Sequence, residues 1–465
     1  ARGRLMTAQG LRYREYAAKF PHTIGFPSLV LAPAFRAFGV RVSVALAVNL
    51  ALSLGSVALV YGIARRVHGR LMGLFAMGLA AVWPSHVLYA SMVASEPVFT
   101  LLILAALYAL SHVLILGEDS FRWRHPVAAV ALLPAAGIVL GIANGIRPMA
   151  LILAIAVCLA LLWQNERLPL ELGAARQILS RGWLCALIVF LCYSLTSTVL
   201  TSRVYAIVRM EPAQGLTASG FNFMIGTNVR NKGVWNAEDA AFFDGVYEAT
   251  GSAQQAHRES LDVALERIRS APEDTLDLFV YKFRDLWQTD DFGIDWNLLW
   301  AEQQGKLTEG LKAWLESLRP VSRELYLLVL AWALAAAIHQ WRKRARLDPI
   351  FLIGMLFFLG TAALHMLLET QVRYHYNMIP FLILLAMYAP AAWRGELGET
   401  APAAPKVEKA PRKELPPPAQ PKPGVDLGKA IREGHIRITL TEESARVALE
   451  QPEKEGPGEE GRDEA

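Results

Sequence analysis

The stretch HMLLETQVRYHYNMIP, His365–Pro380, crowds Glu369, Arg373, Tyr374 and His375 into a short connection between two long apolar runs. Ionisable groups cost several kcal/mol in hydrocarbon, so a cluster at such a connection marks a functional candidate. Working outward, the chain of 465 residues is 54% hydrophobic with a mean hydropathy of +0.30, above an ordinary soluble domain. The expected fold class is an all-α polytopic membrane protein.

A membrane span needs roughly 20 mostly apolar residues. By that criterion the sequence predicts spans at 40–64, 71–91, 97–116, 127–146, 148–164, 182–202, 323–341, 349–368 and 376–393. The connections separate by charge. Arg65, Arg66, His68 and Arg70 fall in one set with Arg122, Arg124, Arg167, Arg176, Arg181, Arg342, Lys343, Arg344, Arg346 and Arg394. By the positive-inside rule this set faces the cytoplasm. Residues 1–39, 92–96, the turn at Arg147, 203–322 and 369–375 then face outward. This alternation predicts a further span before Ala1.

The expected organisation is therefore an outer juxtamembrane loop at 1–39, spans within 40–202, an extracytoplasmic segment at 203–322, spans within 323–393, and a cytoplasmic tail at 394–465. In the tail, APAAPKVEKAPRKELPPPAQPKPG lacks an apolar period and cannot offset its ordering entropy, so disorder is expected there. Ile436–Gln451 has a short alternating run followed by a helix-like run. Leu261–Ile268 and Leu276–Trp287 have the spacing of two amphipathic helices.

The net charge of +4 is small, and no basic stripe is interleaved with aromatics, which excludes nucleic acid as a partner. Cys158, Cys185 and Cys192 lie in apolar runs and form no disulfide framework. Glu96, in Ser95-Glu96-Pro97, sits at a helix start, where the dipole favours a carboxylate. Arg147 suits either snorkelling to headgroups or holding a lipid-linked phosphate. Lys19 and His22 lie among prolines and a glycine in a bent interfacial segment. Asn222, Asn228 and Trp235 suit a sugar's hydroxyls and apolar face.

Taken together, FPHTIGFPSLVLAPAFRAFG, WPSHVLYASMVA followed by Ser-Glu-Pro, GIANGIRP, NFMIGTNVRNKGVW, APEDTLDLFVYKFRDLW and ETQVRYHYNMIPFLILLA resemble the GT-C superfamily of integral-membrane glycosyltransferases. The resemblance is to its family 39: protein O-mannosyltransferases and the aminoarabinose transferase of lipid A. It covers most of residues 13–393. It implies the GT-C fold and inverting transfer of a sugar from a polyprenyl-phosphate donor to an acceptor hydroxyl at the outer face of the plasma membrane. The acceptor class, whether lipid, protein or cell-wall polymer, is left open. So is dependence on a divalent metal, since no His/Asp cluster with ligand spacing stands out.

Carried over by position, the resemblance implies a catalytic role for Glu96 and donor-phosphate binding by Lys19, His22, Arg147 and Arg373. Glu369, Tyr374, His375, Asn222 and Asn228 would orient Arg373 or contact sugar. The principal catalytic acid of relatives follows their first span, whereas residues 1–18 hold only Glu15 as a carboxylate. That acid is therefore expected before Ala1, or the lineage lacks it and is inactive. The rival expectations are a flippase for a lipid-linked sugar and a catalytically inactive membrane scaffold.

Overall fold

Among apolar side chains without water, a backbone must close its hydrogen bonds within one element, and these apolar runs do so as helices. In the computed structural model the described residues are 15–112, 114–116, 121–123, 126–163, 182–208, 219–342, 347–393, 440–441 and 444–445. Four helices among them are long and apolar enough to cross a membrane: Val42–Ala81, Gly182–Arg203, Glu309–Arg342 and Pro349–Leu367. Glu96–Ser111, Val130–Asn144 and Ala150–Trp163 are shorter apolar helices. The chain is a predominantly helical membrane protein.

The spans expected at 40–64 and 71–91 are joined without a loop. Val42–Ala81 runs through the Arg65–Arg70 cluster and breaks only at Gly69, whose φ of 86° suits a residue with no Cβ. It then bends into a short helix, Pro84–Tyr89. The span expected at 97–116 ends early: Glu96–Ser111 is helical, but Leu114–Leu116 is a strand paired antiparallel with Phe121–Trp123. The span expected from 323 begins at Glu309 and carries Pro320 within it.

Helices 126–144 and 182–208 pack backbone to backbone. A Cβ on Gly137 would come within 2.5 Å of the Val189 carbonyl oxygen, and one on Gly141 within 2.7 Å of that of Tyr193. Small residues at this four-residue spacing let apolar helices approach closely. Asn144 adds a 2.9 Å hydrogen bond to the Ser197 hydroxyl.

The last apolar run, expected as one span at 376–393, is a 3-10 helix, Val372–Met378, followed by Ile379–Ala386 and Tyr388–Trp393. Residues 376–389 are all buried. A segment apolar on every side belongs in the core, and this one packs against 42–81, 309–342 and 349–367. The flanking helices instead expose apolar faces, including Leu50, Leu54, Leu191, Leu195 and Leu334.

Between residues 219 and 303 lie five further helices. The amphipathic periods seen at 261–268 and 276–287 sit in the longer helices Ala253–Ser270 and Pro272–Gln288. Asn236 caps Ala237–Thr250 by accepting from the Asp239 N–H at 2.9 Å, and Ser252 caps Ala253–Ser270 through the Gln255 N–H at 3.2 Å. Each such cap stabilises its helix by about 1 kcal/mol. Phe221, Met224, Ile225, Phe243, Ala256 and Ala264 form a small separate core that also takes in Phe20.

Residues up to Thr400 form one unit and Ala401–Ala465 a second. In the second, only Leu440–Thr441 and Ser444–Ala445 are described, as a minimal antiparallel pair. The rest of the expected tail, the helix-like end of Ile436–Gln451, and residues 1–14 lie outside the described residues.

Candidate functional site

The site is built around the end of the Pro349–Leu367 helix. There the backbone turns extended at Leu368, and two of its amides pair across to another segment. The Glu369 N–H donates to the Asn222 carbonyl at 2.8 Å, and the Thr370 N–H to that of Gly233 at 3.0 Å. From the Pro272–Gln288 helix, the fully buried Lys282 ammonium donates to the carbonyls of Gly226, Met366 and Leu368 at 2.7–2.8 Å. These bonds fix Glu369 two residues beyond the helix. Gln371 is extended, and the 3-10 helix after it aims Arg373 and Tyr374 back toward Glu369.

A cavity of about 580 Å³ opens at this point. Glu96, Arg147, Glu369, Arg373 and Tyr374 line its polar side, while Phe26, Pro27, Met149, Ile152 and Leu364 line an apolar side. A second cavity of about 570 Å³ shares His22, Asn222, Glu369, Arg373 and Tyr374 with the first, and adds Glu15, Tyr16, Lys19, Trp235 and Asp244. Residues from three separated stretches thus meet along one shared wall.

The charged groups differ in how far they are committed. Arg147 Nη2 and Glu96 Oε1 pair at 2.6 Å, and Arg147 Nε donates to the Ser95 hydroxyl at 3.1 Å. Glu96, only 5% exposed at its side chain, is therefore the counter-charge of Arg147, not an isolated helix-start carboxylate. Lys19 is held by Asp244 at 2.6 Å, with its ammonium 4.1 Å from the centre of the Tyr247 ring. The Arg373 guanidinium has no carboxylate within ion-pair distance among the described residues. It sits against the rings of Trp296, Tyr374 and Phe292 at 5.1, 5.5 and 5.8 Å. Burial opposes its charge, but Tyr374 and Glu96 hold its pKa above the usual value.

Burial pushes the Glu369 carboxyl above the ordinary range, against hydrogen bonds from Gln371 and Tyr374 and the charges of Arg373 and Lys282. Burial, with help from Arg147 and His257, pushes His22 down to about 4. His22 lines both cavities as a neutral ring, so it offers a phosphate a hydrogen bond but no charge. Three buried polar atoms on the first cavity's lining residues have no hydrogen-bond partner among the described residues: Tyr89 Oη, His365 Nε2 and Arg373 Nε. Buried polar groups are almost always paired, so these three stand out as unmet polar atoms within the cavity wall.

Two residues expected at the site lie elsewhere. His375 is 1% exposed, with Nε2 at 2.8 Å from Asp290 Oδ1 and Nδ1 at 2.7 Å from the Leu286 carbonyl oxygen, its ring stacked on Tyr326. Asp290 also accepts from Trp83 and Ser85, so this group ties three segments together inside the protein. Asn228 donates to Asp239 at 2.9 Å, and the same carboxylate takes Arg267 at 2.7 Å. Both side chains serve internal networks because their neighbours leave them no face on either cavity.

Sequence reasoning missed Tyr89, Trp296, Tyr16 and His365 as lining residues. The first three are aromatics indistinguishable by pattern from an interfacial belt. His365 carried a signal, since it lies one helical turn before Glu369. Among the described residues no group of three His, Cys, Asp or Glu is arranged to hold a metal ion, and the three cysteines are free. No family model, curated protein or solved structure matches this chain.

Proposed function

We propose that this chain is a multi-pass glycosyltransferase of the GT-C type. It transfers a sugar from a polyprenyl-phosphate donor to an acceptor hydroxyl, with inversion, at the extracytoplasmic face of the plasma membrane. The observation that carries this reading is Arg373: a guanidinium without a carboxylate partner among the described residues, cradled by aromatic rings on the wall between two cavities, one of which has an apolar flank. A ligand with an anionic head and a hydrocarbon tail matches that lining. The guanidinium meets negative charge where it develops on the departing lipid phosphate. The apolar flank takes the first prenyl units, and the second cavity, rich in hydrogen-bonding groups, takes the acceptor.

Arg65, Arg66 and Arg70, around the break at Gly69 in Val42–Ala81, and Arg342, at the end of Glu309–Arg342, support a cytoplasmic assignment for those points of the bundle. Lys19 and Arg147, each paired with a carboxylate, act here as braces of the cavity wall, and Arg373 bears the main phosphate contact.

The test is release of polyprenyl phosphate with sugar incorporation into acceptor, using purified protein and polyprenyl-phosphate sugars. Arg373→Ala is expected to lower turnover by about two to three orders of magnitude while leaving insertion intact. Wild-type turnover in that variant would sink the assignment. Transbilayer movement of the lipid without release of polyprenyl phosphate would point instead to a flippase.

A further inference from the structure

Trp235 and Tyr16 line the second cavity, 56% and 51% exposed. The backbone around Trp235 is held on both sides. The Gly233 carbonyl accepts from the Thr370 N–H at 3.0 Å, and Asn236 caps the Ala237–Thr250 helix. A Cβ at Gly233 would come within 2.8 Å of Lys282 Cδ, so this turn rests directly on the buried lysine. Trp235 is thus an exposed indole on a fixed support.

The two cavities differ in what makes them apolar. The first has the aliphatic side chains of Met149, Ile152 and Leu364 on its flank. In the second, Ala240 is the one aliphatic residue among the described lining residues, and the rest of its apolar wall is aromatic, with Tyr16 and Trp235 the exposed rings. Lys19 is paired with Asp244 at 2.6 Å, and in the transfer reading Arg373 meets the donor phosphate. Glu15 and Glu369 then leave the remaining wall acidic. The Glu15 carboxylate and the Asn222 side-chain amide have no hydrogen-bond partner among the described residues.

Such a lining selects by chemistry. Hydroxyls donate to carboxylates and take both roles with an amide, and the C–H face of a sugar ring lies on the negative face of an aromatic ring. A hydrocarbon chain would desolvate the carboxylates without pairing them, and an anionic headgroup would be repelled by them. A peptide hydroxyl would leave the ring faces unused. We propose that the second cavity is a binding site for a neutral sugar residue at the end of an acceptor glycan, with its C–H face on Trp235. This assignment names the acceptor class for the glycosyl-transfer reading above and rests on that reading.

The experiment uses purified protein, polyprenyl-phosphate donors carrying a radiolabelled sugar, and native membranes as the source of acceptors. Partial acid hydrolysis of the product releases the labelled sugar joined to its neighbour. A neutral sugar as that neighbour is the expected result; a serine, a threonine, a phosphate or a charged sugar would overturn the assignment. A companion measurement locates the site. In Trp235→Ala the membrane concentration giving half-maximal turnover should rise about tenfold, with the donor KM within about threefold of wild type, and Trp235→Tyr should recover most of the loss. Unchanged acceptor dependence in Trp235→Ala, or an equal rise for donor and acceptor, would remove this cavity from acceptor binding. A wild type that releases no polyprenyl phosphate ends the transfer reading and this assignment together. Transfer to an amino acid or a phosphate ends this assignment alone.

Discussion

Glu96 and Arg147 lie 51 positions apart, and their ion pair joins the start of one apolar helix to the turn before another. Both side chains are largely removed from water, so removing one partner leaves an uncompensated charge, at a cost of about 3–5 kcal/mol for a fully buried pair. Glu96→Ala and Arg147→Ala are each expected to lower thermal stability more than the double substitution does. A double-mutant cycle measures this, and additive losses would show that the pair is not coupled. Each residue was legible as a candidate from its place beside a proline at a helix end. Their pairing was not, because local sequence holds no record of a partner so far along the chain.

At the scale of elements, Lys282 shows where composition misleads. Lysines are almost never fully buried, yet this one, one helical turn from both Leu278 and Leu286, is buried with its three hydrogens on three carbonyls. Two of those carbonyls belong to the end of the Pro349–Leu367 helix and the third to Gly220–Gly226, ends whose carbonyls have no intrahelical partner. Lys282 thereby staples the elements that carry Glu369 and Asn222. Lys282→Met is expected to speed amide exchange at Glu369 and Thr370 while leaving the Ile379–Ala386 helix protected. Uniform acceleration would mean global destabilisation instead.

Burial also pushes the Lys282 pKa from 10.5 down to about 7, opposed by Glu369. Between those values the unfolded chain holds a proton that the folded chain has released, and the neutral amine keeps two of its hydrogens for those three carbonyls. This group's contribution to stability therefore rises with pH through that window and is lost as pH falls to about 7. Thermal midpoints of wild type relative to Lys282→Met should climb with pH across the window; a flat difference would count against a titrating Lys282. Gly25 gives a second instance of contact that sequence does not foretell. A Cβ there would lie 1.7 Å from the Gly145 carbonyl oxygen, so the segment bearing His22 rests directly on the turn bearing Arg147.

For the molecule as a whole, the apolar residues divide into two populations. Residues 376–389 are enclosed by protein, while Leu50, Leu54, Leu191, Leu195 and Leu334 stand exposed on the flanking helices. A soluble protein does not present apolar faces of that extent, and a bilayer covers them at no cost in hydration. The orientation proposed for these helices makes a direct prediction. In a chain stripped of its three native cysteines, a cysteine replacing Arg230, whose side chain is 86% exposed, should react with an impermeant maleimide on intact cells. A cysteine replacing Arg70 should react only after permeabilisation. The reverse pattern would place the cavity on the cytoplasmic side and remove the extracytoplasmic assignment.

What the sequence determined by itself is the apolar runs, the amphipathic periods at 261–268 and 276–287, and the polar connection at Glu369–His375. Each follows from local chemistry: runs of side chains excluded from water, spacing at the helical period, and ionisable groups that cannot enter hydrocarbon. Tertiary structure alone decided which of those polar residues face a cavity. Arg373 and His375 are two positions apart in the same 3-10 helix, yet one lines both cavities and the other is bound to Asp290 in the interior. Successive side chains in such a helix point about 120° apart, so only the elements packed on each side determine what a residue meets.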